Sequence, residues 1–277
     1  MLNITNIKSN LKDSMPVRVQ HVMTKNLLAQ FSNSKGLVNR IFKDSGYSGL
    51  RPITSEGYIP DFITSRSEDA EAYWNKIEDK MVDVYSHLEN RTLFDYPCEV
   101  ELCKRFMALH LIRSKRIHLS LPALLQQIND QSGARTAATP NISPDQRILV
   151  NTIVNAELRR QIHGGEWLRQ ILFYWLDYIG NDFQSRNLEI GIATEGSFVI
   201  GDNPMVLFDN DRRVVDAGIN DADVCFMPFG PKHVVNLKST SRGPNSYRQI
   251  NLNGVNNIND LSISSAFTRY YSMPIVE

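Results

Sequence analysis

The sequence predicts an α+β protein in which a helical middle region packs on an antiparallel sheet formed mainly by the C-terminal third. Apolar residues recur at helical spacing between about residues 67 and 180. Beyond residue 185, short β-rich runs alternate with Gly and Asn-Pro breaks. Helices followed by strands indicate an α+β order rather than a βαβ alternation. We expect one domain over residues 1–277, with the helical part at about 67–180 and the sheet part at about 185–277 plus a strand near 37–42.

The N-terminal part is expected to contain one short helix and one strand. Residues 1–20 are polar, which indicates an extended arm. The run TKNLLAQF places two leucines and a phenylalanine at helical spacing, and Thr24 is suited to the N-cap. The run LVNRIF at residues 37–42 is typical of a strand, and a loop rich in Gly, Pro and Ser is expected from there to about residue 66.

Four long helices are expected in the middle region, because apolar residues there step at three and four positions. They span residues 67–88, 99 to about 119, about 144–163 and 166–178. Pro97 precedes the second helix and Pro122 limits its end. Residues 129–145 are the least hydrophobic sustained stretch and predict a surface loop or a mobile flap.

The C-terminal third reads as strands separated by turns. The runs IGIATEGSFVIGDNPMVLF, VCFMPF, VVNLKS and RYYSM are rich in β-formers and are interrupted by Gly and Pro. Between the last two runs, residues 251–268 are compatible with one more helix, with Val255 and Ile258 directed inward.

Composition and charge exclude several classes of function. The chain has 30 Lys plus Arg and 30 Asp plus Glu, so no broad basic surface for nucleic acid or anionic membrane is expected. Three cysteines give no disulfide framework and fit a reducing compartment. No signal-peptide pattern is present, and the most apolar stretch, residues 167–180, is too short to span a bilayer. We therefore expect a cytoplasmic protein without a membrane partner.

Several common catalytic motifs do not occur in the sequence. There is no Gly-rich phosphate loop, no HExxH, no GxSxG and no paired CxxC. These absences disfavour ATP-driven chemistry, a zinc protease and a serine hydrolase of the common kind.

A set of short segments, in a fixed order along the chain, carries a resemblance to a known family. The segments are Gln20-His21 with the helix that follows, Lys76-Ile77-Glu78, Leu111-Ile112-Arg113-Ser114, Phe198 to Asp202-Asn203-Pro204, Phe226 to Pro231, and Ile250-Asn251-Leu252-Asn253 through Ala266. Together they resemble the bacterial domain-of-unknown-function family 4238 over essentially the full chain. The resemblance implies the fold class and marks Gln20-His21 and Asp202-Asn203-Pro204 as family positions.

Two positions depart from the family pattern. Met23 and Thr24 occupy the region where the family opening has its first Pro. Gly201 stands where the family commonly has Ser or Thr before the Asp, so a role that needs a hydroxyl group at that position is not supported.

His21 is a candidate general base or metal ligand, because a histidine side chain ordinarily titrates near physiological pH and its position belongs to the family opening. The alternative is a histidine at the entry of a helix, whose ring packs on a neighbour and bonds a backbone carbonyl. Gln20 beside it is a candidate substrate-binding residue.

Glu78 and Arg113 lie in two helices that should pack on each other. Arg113 falls on the apolar line of its helix, so it should be partly buried, and a buried Arg requires a carboxylate or an anion. Glu78 is one candidate partner, which would make the pair structural. A substrate phosphate or carboxylate is the other candidate, and the sequence leaves both open.

Asp202 sits where a β-run ends, and Asn203 before Pro204 is restricted to an extended backbone. A carboxylate on a rigid strand end can hold a metal, a hydroxyl or a histidine, and Asn203 is a candidate substrate-binding residue. The alternative is an Asx-turn in which the Asp202 side chain bonds its own backbone.

Arg113 and His118 also fit the spacing used by a helical class of ribonucleases. In that chemistry Arg113 would stabilise the charge on the phosphoryl group, and His118 would act as acid or base. In a regular helix, five residues rotate the two side chains about 140° apart, so they converge only if the helix ends or kinks near Arg116. The alternative is a basic helix end that interacts with the C-terminal dipole.

Our leading hypothesis is a hydrolase of a phosphodiester or nucleotide, such as RNA, in a toxin or antiviral effector setting. His21 would be the acid/base and Arg113 would clamp the phosphate, while Asp202 and Glu78 would orient His21 or hold a divalent metal ion. The rival hypothesis is a non-enzymatic binding module, in which Gln20-His21 and Asp202-Asn203-Pro204 form a polar lock. Both hypotheses place the two motifs together in space, with Arg113 between them.

Overall fold

The computed structural model of the chain describes residues 19–60, 62–63, 66–114, 143, 165–209, 211, 222, 224–238 and 243–274. Its helices precede most of its strands, so the predicted α+β class is confirmed. The α-helices described are α1 (Lys25–Gln30), α2 (Ser67–Glu78), α3 (Met81–Glu89), α4 (Pro97–Ile112), α5 (Glu166–Gln184) and α6 (Leu252–Ser265). The strands described are β1 (Val19–His21), β2 (Leu37–Phe42), β3 (Ser48–Pro52), β4 (Tyr58–Pro60), β5 (Leu188–Ala193), β6 (Ile200–Gly201), β7 (Val206–Phe208), β8 (Val224–Pro228), β9 (His233–Leu237), β10 (Ser246–Ile250) and β11 (Arg269–Ser272).

The N-terminal segment forms a two-stranded ribbon followed by α1. Strand β1 pairs antiparallel with β4, and His21 lies opposite Tyr58. The predicted cap of α1 is confirmed, because the backbone N–H of Leu27 donates to Oγ1 of Thr24 at 3.2 Å. The expected loop between residue 42 and residue 66 is wrong in part, since β3 and β4 lie within it.

The helix predicted over residues 67–88 is two helices, with a break at Asp79 and Lys80. The break is compensated locally, because Nδ2 of Asn26 donates to the backbone carbonyl of Glu78 at 3.0 Å and so satisfies one free carbonyl at the end of α2. The apolar stripe continues into α3, where Met81, Val84 and Leu88 are buried.

Helices α4 and α5 pack on each other and differ in length from the prediction. Pro97 is the first residue of α4 rather than its predecessor, as suits a residue without an N–H, and α4 ends at Ile112. Helix α5 extends six residues beyond the predicted end, to Gln184. The buried Lys104 of α4 donates through Nζ to the carbonyl of Gln184 at 3.1 Å, which fixes the end of α5 against α4.

The strands of the described residues form three sheets rather than one. The five-stranded sheet has the order β10-β5-β9-β8-β7, and among its described pairs only β10-β5 is parallel. The four-stranded sheet has the order β3-β2-β11-β6, so the predicted strand at residues 37–42 joins the C-terminal β11. The sequence prediction missed β10, because its residues SYRQI are polar and lie at a sheet edge.

One cluster of buried apolar side chains connects these parts. It contains Leu27 of α1, Trp74 of α2, Phe106 of α4, Val235 of β9 and Tyr271 of β11, among others. Within the described ranges, no helix is long and apolar enough to cross a membrane. The predicted arm up to residue 18, the loop at 129–145 except residue 143, and the helix at about 144–163 lie outside the described residues.

Candidate functional site

Arg113 is the centre of a buried polar cluster between the N-terminal segment and the helices. It is the C-cap of α4, and the whole residue is 1 % exposed. Its Nη1 pairs with the Glu78 carboxylate, and its guanidinium lies over the Trp74 ring at 4.2 Å from the centroid. Of the two partners that the sequence left open for a buried Arg113, the structure contains the carboxylate.

His21 lies at the edge of this cluster, at the end of β1. Its ring contacts Tyr58 edge-on at 6.4 Å, and its Nε2 is buried without a hydrogen-bond partner. Burial, and then the positive charges of Lys25 and Arg113, lower the pKa of His21 to about 4. The imidazole is therefore neutral at pH 7 and can accept a proton.

Glu71 is a second carboxylate of the cluster, and it was not among the candidate residues predicted from the sequence. Glu71 and Glu78 are seven residues apart on α2, which is about two turns, so they lie on the same side of the helix. Burial raises the pKa of Glu71, and the nearby Glu78 raises it further against the opposing effect of Arg113 and Lys25. His21 and Glu71 thus share the same two cationic neighbours, Lys25 and Arg113. Their environments lower the pKa of His21 and raise the pKa of Glu71.

Two further polar groups lie deeper in the helical core. His110, one turn before Arg113 on α4, is fully buried, and burial followed by the charge of Arg113 lowers its pKa to about 3. Its ring packs on Phe106 at 4.4 Å. The Tyr85 hydroxyl is also buried, and desolvation, with smaller contributions from Cys103 and Glu78, raises its pKa well above the ordinary value.

The cluster is unusually rich in buried polar atoms that have no hydrogen-bond partner. In the described part of the chain, eight of the twelve such side-chain atoms belong to it: His21 Nε2, Glu71 Oε1, Trp74 Nε1, Tyr85 OH, His110 Nδ1 and Nε2, Arg113 Nε and Ser114 Oγ. Buried polar groups are normally hydrogen-bonded, so this concentration distinguishes the cluster from the rest of the core. The indole, phenol, guanidinium and hydroxyl groups all carry hydrogens that can be donated.

Gln20 has a role in holding the backbone. It is 1 % exposed; its Nε2 donates to the carbonyl of Ile63 at 3.0 Å, and its Oε1 accepts from the N–H of the same residue. Both ends of the amide are occupied, so Gln20 fastens β1 to the segment that follows β4.

Asp202 and Asn203 fasten β6 to the region where α6 ends and β11 begins. The Asp202 carboxylate accepts from the backbone N–H groups of Phe267 and Thr268 and from the Thr268 hydroxyl, the last at 2.7 Å. Asn203 donates through Nδ2 to Oγ of Ser265 at 2.7 Å. The expected alternative of an Asx-turn within the local backbone is replaced by these bonds to residues more than sixty positions away.

The structure joins some of the predicted site residues and separates others. His21, Glu78 and Arg113 share one electrostatic cluster, but no hydrogen bond, ion pair or ring contact described for the chain links His21 to Asp202. The reason lies in topology, because β1 pairs with β4 whereas β6 belongs to the four-stranded sheet. The expected meeting of the two motifs around Arg113 is therefore not formed by direct contact.

Two expectations about further chemistry have different outcomes. His118 lies outside the described residues, so the ribonuclease pairing with Arg113 stays a prediction. For a metal ion, no group of three or more His, Cys, Asp or Glu residues that could hold one occurs among the residues that the structure describes.

The sequence carried partial signals for the residues that were missed. Glu71 could have been found from its seven-residue spacing to Glu78, and His110 from its three-residue spacing to Arg113. Lys25 and Tyr85 could not, because their approach to the cluster depends on how α1 and α3 pack on α2 and α4.

Comparison with known proteins places the chain in a family. No match is found among curated proteins or among solved structures. A family model described as "Protein of unknown function (DUF4238)" matches residues 19–274, which is nearly the full length. The chain therefore belongs to this family, as its Gln-His opening, helical Glu and Arg, and Asp-Asn-Pro segment indicated.

Proposed function

We propose that the protein is a hydrolase of a phosphodiester or nucleotide substrate, with RNA as one candidate, and that the cluster around His21, Glu71 and Arg113 is its active site. One observation carries the proposal: a neutral histidine and a carboxyl group with a raised pKa share two cations, in a region where buried donors lack partners. Groups whose pKa values are shifted by burial and by nearby charges cluster at the functional sites of enzymes.

The cations and donors of the cluster suit a phosphoryl group. Lys25 is exposed at the start of α1, whereas Arg113 is buried and held by Glu78. Buried N–H and O–H donors favour a group with many acceptor oxygens, and a phosphate has them. In this proposal Lys25 contacts the phosphoryl oxygens, and Arg113 stabilises their charge from behind.

His21 and Glu71 would then divide the proton transfers. Nε2 of neutral His21 accepts the proton of the attacking oxygen, which belongs to water or to a ribose 2′-hydroxyl. A bond forms from that oxygen to phosphorus, and the bond from phosphorus to the leaving oxygen breaks. The step requires Glu71 in its protonated form, which its raised pKa favours; Glu71 donates that proton to the leaving oxygen, so the charges balance.

The test compares folded wild type with His21→Asn and Glu71→Gln on RNA, a nucleotide panel and a phosphodiester with a nitrophenyl leaving group. Loss of a general acid or base typically lowers the rate by about 100-fold or more. His87→Gln is a matched control, since the half-buried His87 ring stacks on Tyr96 and contacts the Thr92 hydroxyl rather than the polar groups of the cluster. An inactive folded wild type, or a folded His21→Asn of wild-type rate, would sink the proposal.

We propose a toxin or antiviral effector as the setting of this hydrolase. Expression of wild type should then inhibit growth of the producing cell, whereas expression of His21→Asn to the same level should not. If both proteins inhibited growth equally, the toxicity would not depend on the proposed active site, and the proposed setting would be contradicted.

The second candidate function is a non-enzymatic binding module with structural polar locks. It is favoured by Gln20 and Asp202, whose side-chain groups bond the backbone, and by Nδ2 of Asn203, which donates to Ser265. The two candidates differ for Asp202→Asn. If the His21 cluster is the active site, this variant should keep the wild-type turnover at temperatures where it is folded, because the Asp202 carboxylate is bonded to Phe267 and Thr268. If the protein is a binding module, neither the wild type nor the variant should show turnover.

A further inference from the structure

Tyr58 is an exposed aromatic residue beside the His21 cluster. It lies opposite His21 in the β1–β4 ribbon, and paired residues project from the same face of two antiparallel strands. The two rings meet edge-on, with their centroids 6.4 Å apart. Tyr58 is nevertheless 41 % exposed, and neither apolar cluster of the described residues includes it. Its ring therefore keeps surface that a ligand can contact.

The backbone holds this ring in a defined place. Gly57, the residue before Tyr58, has a φ of +72°, which a glycine adopts without strain. The backbone N–H of Met23 donates to the Gly57 carbonyl at 2.9 Å, and a Cβ atom at Gly57 would lie 2.9 Å from the Met23 Cβ. The start of β4 is thereby fastened to the segment between β1 and α1, so Tyr58, His21 and Lys25 keep their relative positions.

Exposure falls from the ribbon towards the centre of the cluster. Tyr58 and Lys25 are exposed, His21 is half-buried, and Arg113 is 1 % exposed. The Nε2 atom of the His21 ring is buried. A ligand with its phosphoryl group at His21 and Arg113 therefore extends towards solvent beside Tyr58.

The spacing of the two rings suits the ribose of a nucleotide. One sugar ring and its 5′ carbon join the phosphate to the base, a span of the same order as the 6.4 Å between the His21 and Tyr58 centroids. A phosphoryl group at His21 thus brings its own nucleobase over the Tyr58 ring. Aromatic side chains stack on all nucleobases, because every base has a flat π-face.

The other role open to Tyr58 is structural. A His–Tyr pair across two strands contributes to a ribbon through the ring contact alone. In that role, a loss of the ring acts through His21 on every substrate equally. In a stacking role, the loss acts only where the substrate carries a base. The ratio of rates for substrates with and without a base therefore separates the two roles.

We propose that Tyr58 determines the specificity of the His21 site by stacking on the nucleobase nearest the reacting phosphoryl group. The substrate class is then a nucleotide unit with an unpaired base, present either as a free nucleotide or within single-stranded RNA. Bases inside a duplex are stacked on one another and are not available to Tyr58. The inference rests on the proposed function, because the cluster must hold the phosphoryl group.

The first experiment compares kcat/KM for a nucleoside 5′-nitrophenyl phosphate with kcat/KM for methyl nitrophenyl phosphate, which has the same leaving group and no base. In Tyr58→Val the ratio of the two values should fall about tenfold, since the stacking of one base is lost. Tyr58→Phe and Tyr58→Trp keep a flat ring and should keep the ratio. One RNA sequence, single-stranded or in a duplex, forms the second arm, and cleavage of the single strand faster than the nucleoside ester identifies RNA as the source of the base.

Binding is measured separately, with a nucleotide whose base is a fluorescent adenine analogue. Stacking on an aromatic ring quenches the emission of such a base, so this measurement does not require turnover. Wild type and Tyr58→Phe should quench the emission, and Tyr58→Val should not.

Tyr47→Val is the matched control, because Tyr47 is 64 % exposed and its ring contacts Phe42 at the same centroid distance of 6.4 Å. It should keep both the ratio and the quenching. The proposal is overturned if Tyr58→Val keeps the wild-type ratio, whether or not both rates fall, or if wild type does not prefer the substrate with a base.

Failure of the proposed hydrolase gives a different result. Folded wild type would then cleave neither phosphodiester, and the fluorescent nucleotide would decide on Tyr58 alone. Quenching that disappears in Tyr58→Val would support base stacking without hydrolysis, whereas quenching that is absent, or equal in the two proteins, would overturn the stacking as well.

Discussion

At the scale of single residues, the defining feature is the buried guanidinium of Arg113 and its ion pair with Glu78. Arg113 is enclosed by Glu78 and by the Trp74 ring, and the pair joins the end of α2 to the end of α4. Removing one partner of a buried pair costs more than the pair contributes, because the remaining charge stays in a region of low dielectric. The pair is therefore a point where a small change has a large effect.

We predict that Glu78→Gln lowers the free energy of unfolding by about 3 kcal/mol, because Arg113 is left buried without a counter-charge. Urea denaturation followed by circular dichroism measures it. Asp177→Asn is the control, because Asp177 and Arg105 form a pair at 3.4 Å with side chains that are 60 % and 47 % exposed. That change should cost less than about 1 kcal/mol. Equal losses in the two variants would contradict the prediction.

We predict that the buried His110 makes the stability of the fold sensitive to acid. The unfolded chain takes up the proton near pH 6.5, whereas burial delays uptake in the folded chain to about pH 3. Acid therefore favours the unfolded state in this window, and the free energy of unfolding falls by up to about 1.4 kcal/mol per pH unit as the pH is lowered. His21 adds to the same slope between pH 6.5 and about 4.

Replacing His110 should flatten this slope. His110→Phe keeps a ring against Phe106, and His110→Leu is a second variant in case the larger ring packs poorly. Both should lose less stability than wild type between pH 6.5 and pH 4 in urea titrations. An unchanged slope in both His110 variants would show that His110 is not the group responsible.

The sequence predicted part of the cluster for physical reasons that can be stated. The apolar line of α4 required a partner for the buried Arg113, and the Glu78 carboxylate was one of the two candidates, the other being a substrate phosphate or carboxylate. The position of Asp202 was harder to predict, because a carboxylate at a strand end suits a metal, a histidine or a backbone amide equally well. In the structure the partners are backbone amides, because the N–H groups of Phe267 and Thr268, from a distant part of the chain, donate to the Asp202 carboxylate.

At the scale of elements, the segment around Asp202 fixes how α6 lies on the four-stranded sheet. Gly201 precedes it on β6. A Cβ atom at Gly201 would come 2.9 Å from the Ala266 Cβ and 2.9 Å from the Ser262 carbonyl oxygen. In this chain the helix therefore approaches the strand more closely than a side chain at position 201 permits.

We predict that Gly201→Ser lowers the free energy of unfolding by about 1–3 kcal/mol, since the added atoms force α6 away from β6. Thermal and urea denaturation measure the effect. Gly49→Ser is the control, because Gly49 also lies in a strand of this sheet and an added Cβ would meet no atom within 4 Å. A Gly201→Ser protein as stable as the Gly49→Ser protein would contradict this account of the packing.

Element types were predictable where apolar residues recur with a clear period, as in α4, α6 and β2. The break between α2 and α3 was not, because the apolar stripe runs through it and the free carbonyl is compensated by Asn26 from another element. Strand β10 was missed for the opposite reason, since an edge strand with exposed polar side chains has no apolar alternation. Its pairing with β5 depends on tertiary packing and not on a pattern in its own sequence.

At the scale of the whole molecule, the question is whether the helical part and the sheet part fold as one unit. The main apolar cluster includes Leu27 and Trp74 near the N-terminus, Cys103 of α4, and Cys225 and Tyr271 in the two larger sheets. A cluster shared by both parts means that neither part keeps its core when the other unfolds. This supports the expectation of a single domain, which predicts that the helical part and the sheet part unfold together.

We predict one cooperative unfolding transition, in which Cys103 and Cys225 become reactive to a thiol reagent at the same urea concentration. Cys103 reports on the helices and Cys225 on the five-stranded sheet, because both are buried in the folded chain. Cys98 is exposed and should react without urea, which confirms that the reagent is active. The measurement uses two variants, each keeping Cys98 and one buried cysteine and having the other buried cysteine replaced by Ala. If Cys225 reacts well before Cys103, or the reverse, the two parts unfold separately and the chain has two domains.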